Sequence, residues 1–109
     1  MATVYKVLGQ SNPSATTATT LYTVPASTAT VVSTITVANL GGSSVTYRIS
    51  VRPAAAAQTN AMYIAYDVTV GANDTTTLTL GITLATTDVI TVYASTATVA
   101  FNAYGSEIA

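Results

Sequence analysis

The sequence of 109 residues contains no cysteine, no histidine and no tryptophan. Without cysteine the chain cannot form disulfides or thiolate nucleophiles, and without histidine the usual zinc sites and Ser-His-Asp triads cannot be assembled. Only 6% of the residues are charged, so the clustered cations that nucleic-acid binding requires are missing. No apolar run approaches the roughly 20 residues of a membrane helix, and no secretory signal begins the chain. We therefore expect a soluble, non-enzymatic protein without nucleic-acid or membrane partners.

The few residues that could still carry chemistry do not form a catalytic pattern. A Ser-Lys dyad would need a desolvated Lys6, and the neighbouring sequence offers no apolar enclosure. The acidic residues Asp67, Asp74 and Asp88 are far apart in the chain and fit turns, where carboxylates bond local backbone amides. Because carboxylate oxygens are calcium ligands, the alternative is that these residues contribute to a calcium site. We expect no catalytic residue, no cofactor and no metal ligand.

Hydrophobic residues are abundant, and threonine is the commonest residue type. At 50% hydrophobic content, a chain of this length can bury one core, which predicts a single domain over residues 1–109. Threonine favours the extended backbone and suits the outward positions of strands. A net charge of −1 provides little repulsion between molecules. The composition therefore favours an assembly component, and we expect a homo-oligomer, either a dimer or a trimer.

Alternating apolar and polar residues recur along the chain, with turn-forming residues between them. The segments predicted as strands are residues 2–8, 21–25, 31–37, 45–51, 62–70, 75–80, 88–93 and 98–104. Without a helical period, this pattern predicts an all-β protein, an antiparallel β-sandwich of seven to eight strands that is Ig-like or jelly-roll-like. Residues 54–57 are four alanines, predicted as a loop with at most one helical turn. Residues 1–20 are predicted as an N-terminal strand or as an arm that reaches a neighbouring subunit.

The strongest alternation lies in residues 30–53. Its two halves flank Gly41 and Gly42, which tolerate the positive φ of a tight reversal, and this predicts a β-hairpin. The alternation breaks at Val32 and Ser33, where either a local bulge or the start of a strand would account for the change of phase. The apolar faces of this and the other strands give the predicted core: Ile35, Val37, Tyr47, Ile49, Val51, Ile64, Tyr66, Leu78, Leu80, Val92 and Phe101.

Four residues are predicted to bind a partner: Lys6, Arg48, Arg52 and Tyr63. Arg48 and Arg52 are four positions apart in one strand, so they project from the same outer face about 13 Å apart. They are either solvated or form ion pairs with a partner's carboxylates. Tyr63 is also expected to face outward, where a tyrosine can anchor an interface.

Several segments resemble a known family of proteins. They are LYTVP at residues 21–25, TYRI and VRP within residues 46–53, LTLGITL at residues 78–84 and VYAS at residues 92–95. With these, nearly the whole chain resembles small virion structural proteins of tailed bacteriophages, especially cyanophages and other marine phages. Related chains often carry a cysteine near Ala38-Asn39 and a lone glycine within residues 54–57, differences that affect packing and loop shape.

The resemblance implies a virion component made in the host cytoplasm. Within that family, the expected role is a capsid decoration or cement protein that binds the outer shell, with the major capsid protein or other virion proteins as partners. One alternative is a tail, baseplate or fibre module that contacts the host surface. Another is a carbohydrate-binding sandwich, although the sequence shows no tryptophan and no evident aromatic platform.

Overall fold

A computed structural model describes residues 2–109, and Met1, the first residue of the predicted N-terminal segment, lies outside the described residues. The strands are β1 (Thr3–Ser11), β2 (Thr19–Thr23), β3 (Ala29–Asn39), β4 (Val45–Arg52), β5 (Tyr63–Val70), β6 (Thr75–Leu84), β7 (Val89–Ala94) and β8 (Val99–Ile108). Short 3₁₀ turns form at Pro53–Ala55 and Asn60–Met62. The prediction of an all-β chain with seven to eight strands is confirmed, and the alanine segment carries one short turn.

The strands form two antiparallel sheets. Sheet A has the order β1-β8-β3-β6 and sheet B the order β2-β7-β4-β5. Each strand of the first half pairs with its counterpart in the second half: β1 with β8, β2 with β7, β3 with β6 and β4 with β5. A long antiparallel ribbon rolled into two sheets in this way is a jelly roll. Of the two predicted sandwich types, the structure is therefore the jelly-roll-like one.

The predicted β-hairpin over residues 30–53 is wrong, because β3 lies in sheet A and β4 in sheet B. The chain crosses between the sheets at Gly41 and Gly42. Asn39 holds this corner: its side-chain amide donates to the carbonyls of Ser43 and Gly71 at 2.7 and 3.1 Å, and its Oδ1 accepts from the Gly41 amide at 3.0 Å. Alternation shows that each strand buries one face. It does not distinguish two neighbours in one sheet from two strands that face each other across a core.

The core lies between the sheets and contains most of the predicted residues. Tyr47 from sheet B and Phe101 from sheet A meet at its centre with ring centroids 6.1 Å apart, in an edge-to-face arrangement. The predicted core residues that are buried are Ile35, Val37, Tyr47, Ile49, Val92 and Phe101. Val51 and Leu78 are half-buried and pack against this cluster. Burial of these aliphatic and aromatic side chains supplies the main driving force for folding.

Three predicted core residues, Ile64, Tyr66 and Leu80, are instead exposed by 43%, 55% and 50%. In β5 the cause is a pair of bulges, because the register against β4 shifts twice and Asp67 adopts a φ of 50°. Each extra residue in a strand reverses the side of the sheet to which the following side chains point. Leu80 lies beside Gly81, whose φ is 62°, where β6 shifts its register against β3.

Of the two alternatives at Val32 and Ser33, a local bulge or the start of a strand, the structure has the bulge, since β3 begins earlier, at Ala29. The register of β3 shifts between Val32 and Thr34 against both of its neighbours, β6 and β8. Gly105 of β8 lies at this point, and a Cβ atom there would stand 2.0 Å from the carbonyl oxygen of Val31. Any side chain at this position would clash with the β3 backbone, so the close approach of the two strands requires glycine.

The N-terminal segment forms a strand, β1, in a sheet made by the same chain. β1 pairs with β8 from Thr3 opposite Ile108 to Ser11 opposite Phe101 and forms an edge of sheet A. Beyond β1, the Asn12 side-chain amide donates to the carbonyl of Val99 at 2.7 Å, and Pro13 is buried. Of the two predicted roles, the structure has the strand. Contact with a neighbouring subunit stays a prediction.

Candidate binding site on the outer face of sheet B

The strand period of two places a set of polar side chains on the outer face of sheet B. In β4 the outward positions are Arg48, Ser50 and Arg52, while Tyr47 and Ile49 point into the core. β7 lies beside β4, with Tyr93 opposite Arg48 and Thr91 opposite Ser50. The prediction that both arginines share one outer face is confirmed.

Three tyrosines gather around Arg48 and form what we call the tyrosine–arginine stack, made of Tyr63, Tyr66, Arg48 and Tyr93. The guanidinium carbon of Arg48 lies 4.3 Å from the ring centroid of Tyr66 and 4.3 Å from that of Tyr93. Tyr63 meets Tyr66 edge to face, with centroids 4.8 Å apart. Guanidinium groups are attracted to aromatic faces at such distances, so the four side chains hold one another in place.

Arg48 is also paired with a carboxylate of its own chain. Its Nε donates to Asp67 Oδ1 at 2.7 Å and its Nη2 to Asp67 Oδ2 at 3.3 Å, a two-point contact. These hydrogen bonds raise the pKa of Arg48 above its usual value. The β5 bulge that turns Tyr66 outward also brings Asp67 to this position. Arg48 therefore does not need a partner's carboxylate to balance its charge.

Arg52 differs from Arg48 in this respect. Its Nε donates to the Ala56 carbonyl at 3.0 Å and its Nη2 to the Ala55 carbonyl at 3.3 Å, which orients the guanidinium over the turn after β4. The ion pairs formed within residues 2–109 involve Lys6 and Arg48, and neither includes Arg52. Arg52 thus presents a cation held in place by backbone carbonyls that forms no ion pair within the described residues; Asp88, which accepts from the Ala54 amide at 2.9 Å, is the acidic side chain bound to the same turn.

Both arginines line a cavity of about 80 Å³, which we call the sheet B cavity. Ser50 and Thr91, neighbours across β4 and β7, belong to its lining and are 1% and 7% exposed. The Ser50 hydroxyl donates to Gln58 Oε1 at 2.6 Å. The Thr91 hydroxyl oxygen is buried and has no hydrogen-bond partner among the described residues. Tyr63 and Tyr93 also line the cavity, so aromatic rings accompany its polar groups.

Lys6, the fourth predicted partner-binding residue, lies elsewhere, on β1 of sheet A. Its Nζ is 3.2 Å from Glu107 Oε1. Glu107 also accepts a hydrogen bond from the Tyr22 hydroxyl at 2.5 Å, and Tyr22 contacts Thr30 Oγ1 at 2.8 Å. The Tyr22 hydrogen bond, followed by Lys6, lowers the pKa of Glu107 despite its partial desolvation. Burial, with the Glu107 hydrogen bond, raises the pKa of Tyr22 to about 12. This network joins β2 of sheet B to β8 of sheet A.

The structure thus brings together Arg48, Arg52 and Tyr63, and it adds residues that the sequence did not point to. Tyr66 was assigned to the core, and the two faces of β7 are both apolar enough to leave Tyr93 ambiguous. Tyr63 and Tyr66 are three positions apart, so a regular strand would place them on opposite faces. Only the β5 bulge brings them together, and no local sequence signal marks that bulge.

The arrangement is suited to binding. It offers a fixed cation, aromatic walls and buried hydroxyls. Within residues 2–109, no three His, Cys, Asp or Glu side chains lie together in a way that could hold a metal ion. The same part of the chain contains no helix long and apolar enough to cross a membrane. Comparison with protein-family models, curated proteins and solved structures finds no match for this chain.

Proposed function

We propose that this protein is a non-enzymatic structural component of a tailed-bacteriophage virion, namely a capsid decoration or cement protein that binds the outer shell and stabilises it. The proposal begins from the resemblance carried by residues 21–25, 46–53, 78–84 and 92–95. It is supported by a nearly uncharged body that suits dense packing on a repeating surface. The major capsid protein is the expected partner, and the virion is the expected location.

The observation that carries this proposal is the tyrosine–arginine stack. Tyrosine and arginine are among the residue types that contribute most binding energy at protein interfaces. Here their side chains are already ordered by stacking and by the Asp67 contacts. A preorganised surface loses little side-chain entropy on association, which favours binding. Such a surface is suited to a protein that binds the outer shell of a capsid.

Copy number tests the proposal. Quantitative mass spectrometry of purified particles should find hundreds of copies per virion, because a decoration protein follows the symmetry of the shell. Copies in the tens or fewer would contradict a shell role and support the alternative of a tail, baseplate or fibre module. Heating particles that have and lack the protein provides the second measurement, and decorated shells should release DNA at the higher temperature.

We also propose that the protein acts as a dimer or trimer. Both sheets end in strands with a free edge, β1 and β6 in sheet A and β2 and β5 in sheet B. Edge strands present unpaired backbone groups, and closed symmetry can cover them. Light scattering on the purified protein should therefore give two or three times the chain mass of 11.1 kDa. A monomer both in solution and on the particle would contradict this expectation.

Carbohydrate binding is a second candidate function, favoured by one specific observation. Tyr63 and Tyr66 pack edge to face and, with Asn60, line an open cavity of about 340 Å³. Aromatic rings beside an amide side chain are suited to the apolar faces and hydroxyl groups of sugars. A glycan array probed with wild-type protein and with Tyr66→Ala tests this function. Binding that is lost in the variant would support it.

A further inference from the structure

The sheet B cavity contains a polar group whose hydrogen bonding is incomplete. Thr91 is 7% exposed, it lines the cavity, and its hydroxyl has no partner within residues 2–109. A buried hydroxyl without a hydrogen-bond partner destabilises the folded state, so folded proteins usually provide a partner, as protein, water or ligand. The neighbouring hydroxyl of Ser50 is satisfied by Gln58. Of the two neighbouring hydroxyls, that of Thr91 is therefore the one without a partner among the described residues.

The charge around the cavity is positive. Arg48 and Arg52 both line it, and none of the described residues in its lining is acidic. Arg48 is balanced by Asp67, whereas the hydrogen bonds that Arg52 forms within residues 2–109 go to the carbonyl oxygens of Ala55 and Ala56. A guanidinium carries five N–H donors, and those two contacts leave the others on Nη1 and Nη2 for a ligand. An anion is the ligand that this charge favours.

The size and walls of the cavity restrict which anion fits. A volume of about 80 Å³ accommodates one small group rather than a whole sugar ring or a peptide segment. A carboxylate is planar and accepts parallel hydrogen bonds from a guanidinium, and its second oxygen can accept from a hydroxyl. Tyr63 and Tyr93 reduce the water around the site, which strengthens an ion pair.

We propose that the sheet B cavity binds a carboxylate group, with Arg52 as its cation and the Thr91 hydroxyl as a donor to it. We assign the carboxylate to an acidic side chain of the shell protein, and this assignment of the source rests on the proposed function. The carboxylate site itself rests only on the cavity, Thr91 and Arg52. The tyrosine–arginine stack then surrounds the inserted side chain and excludes water from it.

The first experiment measures binding of small probes to the purified full chain by amide chemical shifts. The probe is N-acetyl-glutamate N-methylamide, and the neutral control is the corresponding glutamine compound. A single charged group of this kind should bind with a dissociation constant of roughly 1–10 mM. Shifts should concentrate at Thr91 and Arg52. D-glucuronate and D-glucose form a second matched pair, which tests an acidic saccharide as the source of the carboxylate.

Two variants test the assigned roles. Thr91→Val keeps the shape of the side chain and removes the hydroxyl, so probe affinity should fall by about fivefold. Because the hydroxyl has no partner, the unliganded variant should unfold at an equal or higher temperature than the wild type. Arg52→Gln should weaken binding by about tenfold or more. Arg52→Lys keeps the charge and should restore part of the affinity, and Thr79→Val on the outer face of sheet A is the matched control.

Each outcome decides the proposal. Absence of probe binding would overturn the carboxylate site whatever the stability of Thr91→Val, and a less stable Thr91→Val protein would then show that water satisfies the hydroxyl. Binding of glucuronate without binding of the glutamate compound would overturn the assignment to a protein side chain. If the glutamate compound binds but Arg52→Gln decorates shells normally, the site exists and its link to the shell is wrong. Loss of both probe binding and shell occupancy in Arg52→Gln supports the proposal in full.

Discussion

The outer faces of the two sheets have the same backbone geometry and very different surfaces. On sheet A, threonines lie opposite one another, as in the pairs Thr34 with Thr79 and Thr36 with Thr77. On sheet B, the corresponding positions carry the tyrosine–arginine stack and the sheet B cavity. Cross-strand threonine pairs stabilise the sheet locally. The groups on sheet B are instead connected across three strands.

The difference between the faces originates in β5. The strands of sheet A carry bulges where β3 meets β6 and β8, and there Leu80 is turned outward beside Gly81 while the Ser33 hydroxyl donates to the Tyr104 carbonyl. The bulges of β5 fall at residues with large side chains, and they turn Tyr66 and Asp67 towards Arg48. The same kind of backbone irregularity therefore exposes an aliphatic side chain in sheet A, whereas in sheet B it brings a cation, a carboxylate and aromatic rings together.

The largest effects should come from the core that the two faces share. Ile35→Ala in sheet A and Ile49→Ala in sheet B each remove a fully buried side chain, and each should lower the free energy of unfolding by about 2–5 kcal/mol. Thr79→Ala, on the exposed outer face of sheet A, should change it by about 0.5 kcal/mol or less. Chemical denaturation measures all three. A small effect of Ile49→Ala alone would show that sheet B contributes less to the core than sheet A does.

The second prediction concerns the Tyr22–Glu107 network that joins the sheets. The pKa of Tyr22 is raised from 10.0 to about 12, so the folded state holds this proton more tightly than the unfolded chain does. Its stabilising contribution is complete below about pH 10 and is lost as the pH rises towards 12. Over this pH range the free energy of unfolding should fall by about 2–3 kcal/mol.

Urea denaturation as a function of pH measures this loss. Tyr22→Phe should remove this part of the alkaline loss, and Tyr5→Phe, at an exposed position, should retain it because Tyr22 remains in place. Equal pH dependence in wild type and Tyr22→Phe would contradict the role assigned to the network.

The third prediction tests which outer face attaches to the shell. Tyr66→Ala removes the centre of the tyrosine–arginine stack, and its dissociation constant from shells should rise by about tenfold or more. Thr79→Ala, which alters the outer face of sheet A, should leave it unchanged. Titration of undecorated shells with labelled protein measures both. If Thr79→Ala weakened binding and Tyr66→Ala did not, attachment would be assigned to the outer face of sheet A.

The smallest effect should be that of salt. With three cations and four anions, the chain gains little from long-range charge, and Arg48 and Lys6 are already paired internally. Raising the salt concentration to 1 M, where the Debye length is about 3 Å, should therefore weaken shell attachment by only about twofold to threefold. Release from the shell at high salt would mean that charge, rather than the aromatic surface, holds the protein.

The sequence predicted the strands well because their alternation is local. Ile35, Tyr47 and Ile49 were placed correctly since each lies in a run with one buried face. Pairing could not be predicted in the same way. The strands on either side of Gly41 and Gly42 were assigned to one hairpin, and only long-range contacts place them in opposite sheets.

The candidate site was predictable only in part. Arg48 and Arg52 were correctly placed on one face because β4 is regular up to its end. Tyr66 and Asp67 were not found, because a bulge depends on the fit between two strands rather than on local composition. The unpartnered hydroxyl of Thr91 is a property of three-dimensional packing, since nothing distinguishes this threonine from the others in the sequence.

An N-terminal arm that reaches a neighbouring subunit on the particle could be tested by deletion, but the structure makes that test ambiguous. Because β1 is paired along its length with β8, deletion of residues 2–20 would leave β8 without one neighbour and would remove the buried Pro13. Loss of attachment after that deletion would report unfolding as well as lost contacts. Substitutions on the outer face of sheet B therefore test attachment more cleanly.

The pairing of β1 with β8 has a consequence during synthesis on the ribosome. About 100 residues separate the two strands, and at 5–20 residues per second β1 waits roughly 5–20 s for its partner. During that time an extended segment with Val4, Tyr5 and Val7 is free to pair with other nascent chains. Lys6, the single lysine of the chain, lies in the middle of this segment. A charge at such a position opposes intermolecular strand pairing, so we expect Lys6 to disfavour aggregation of the nascent chain before it pairs with Glu107.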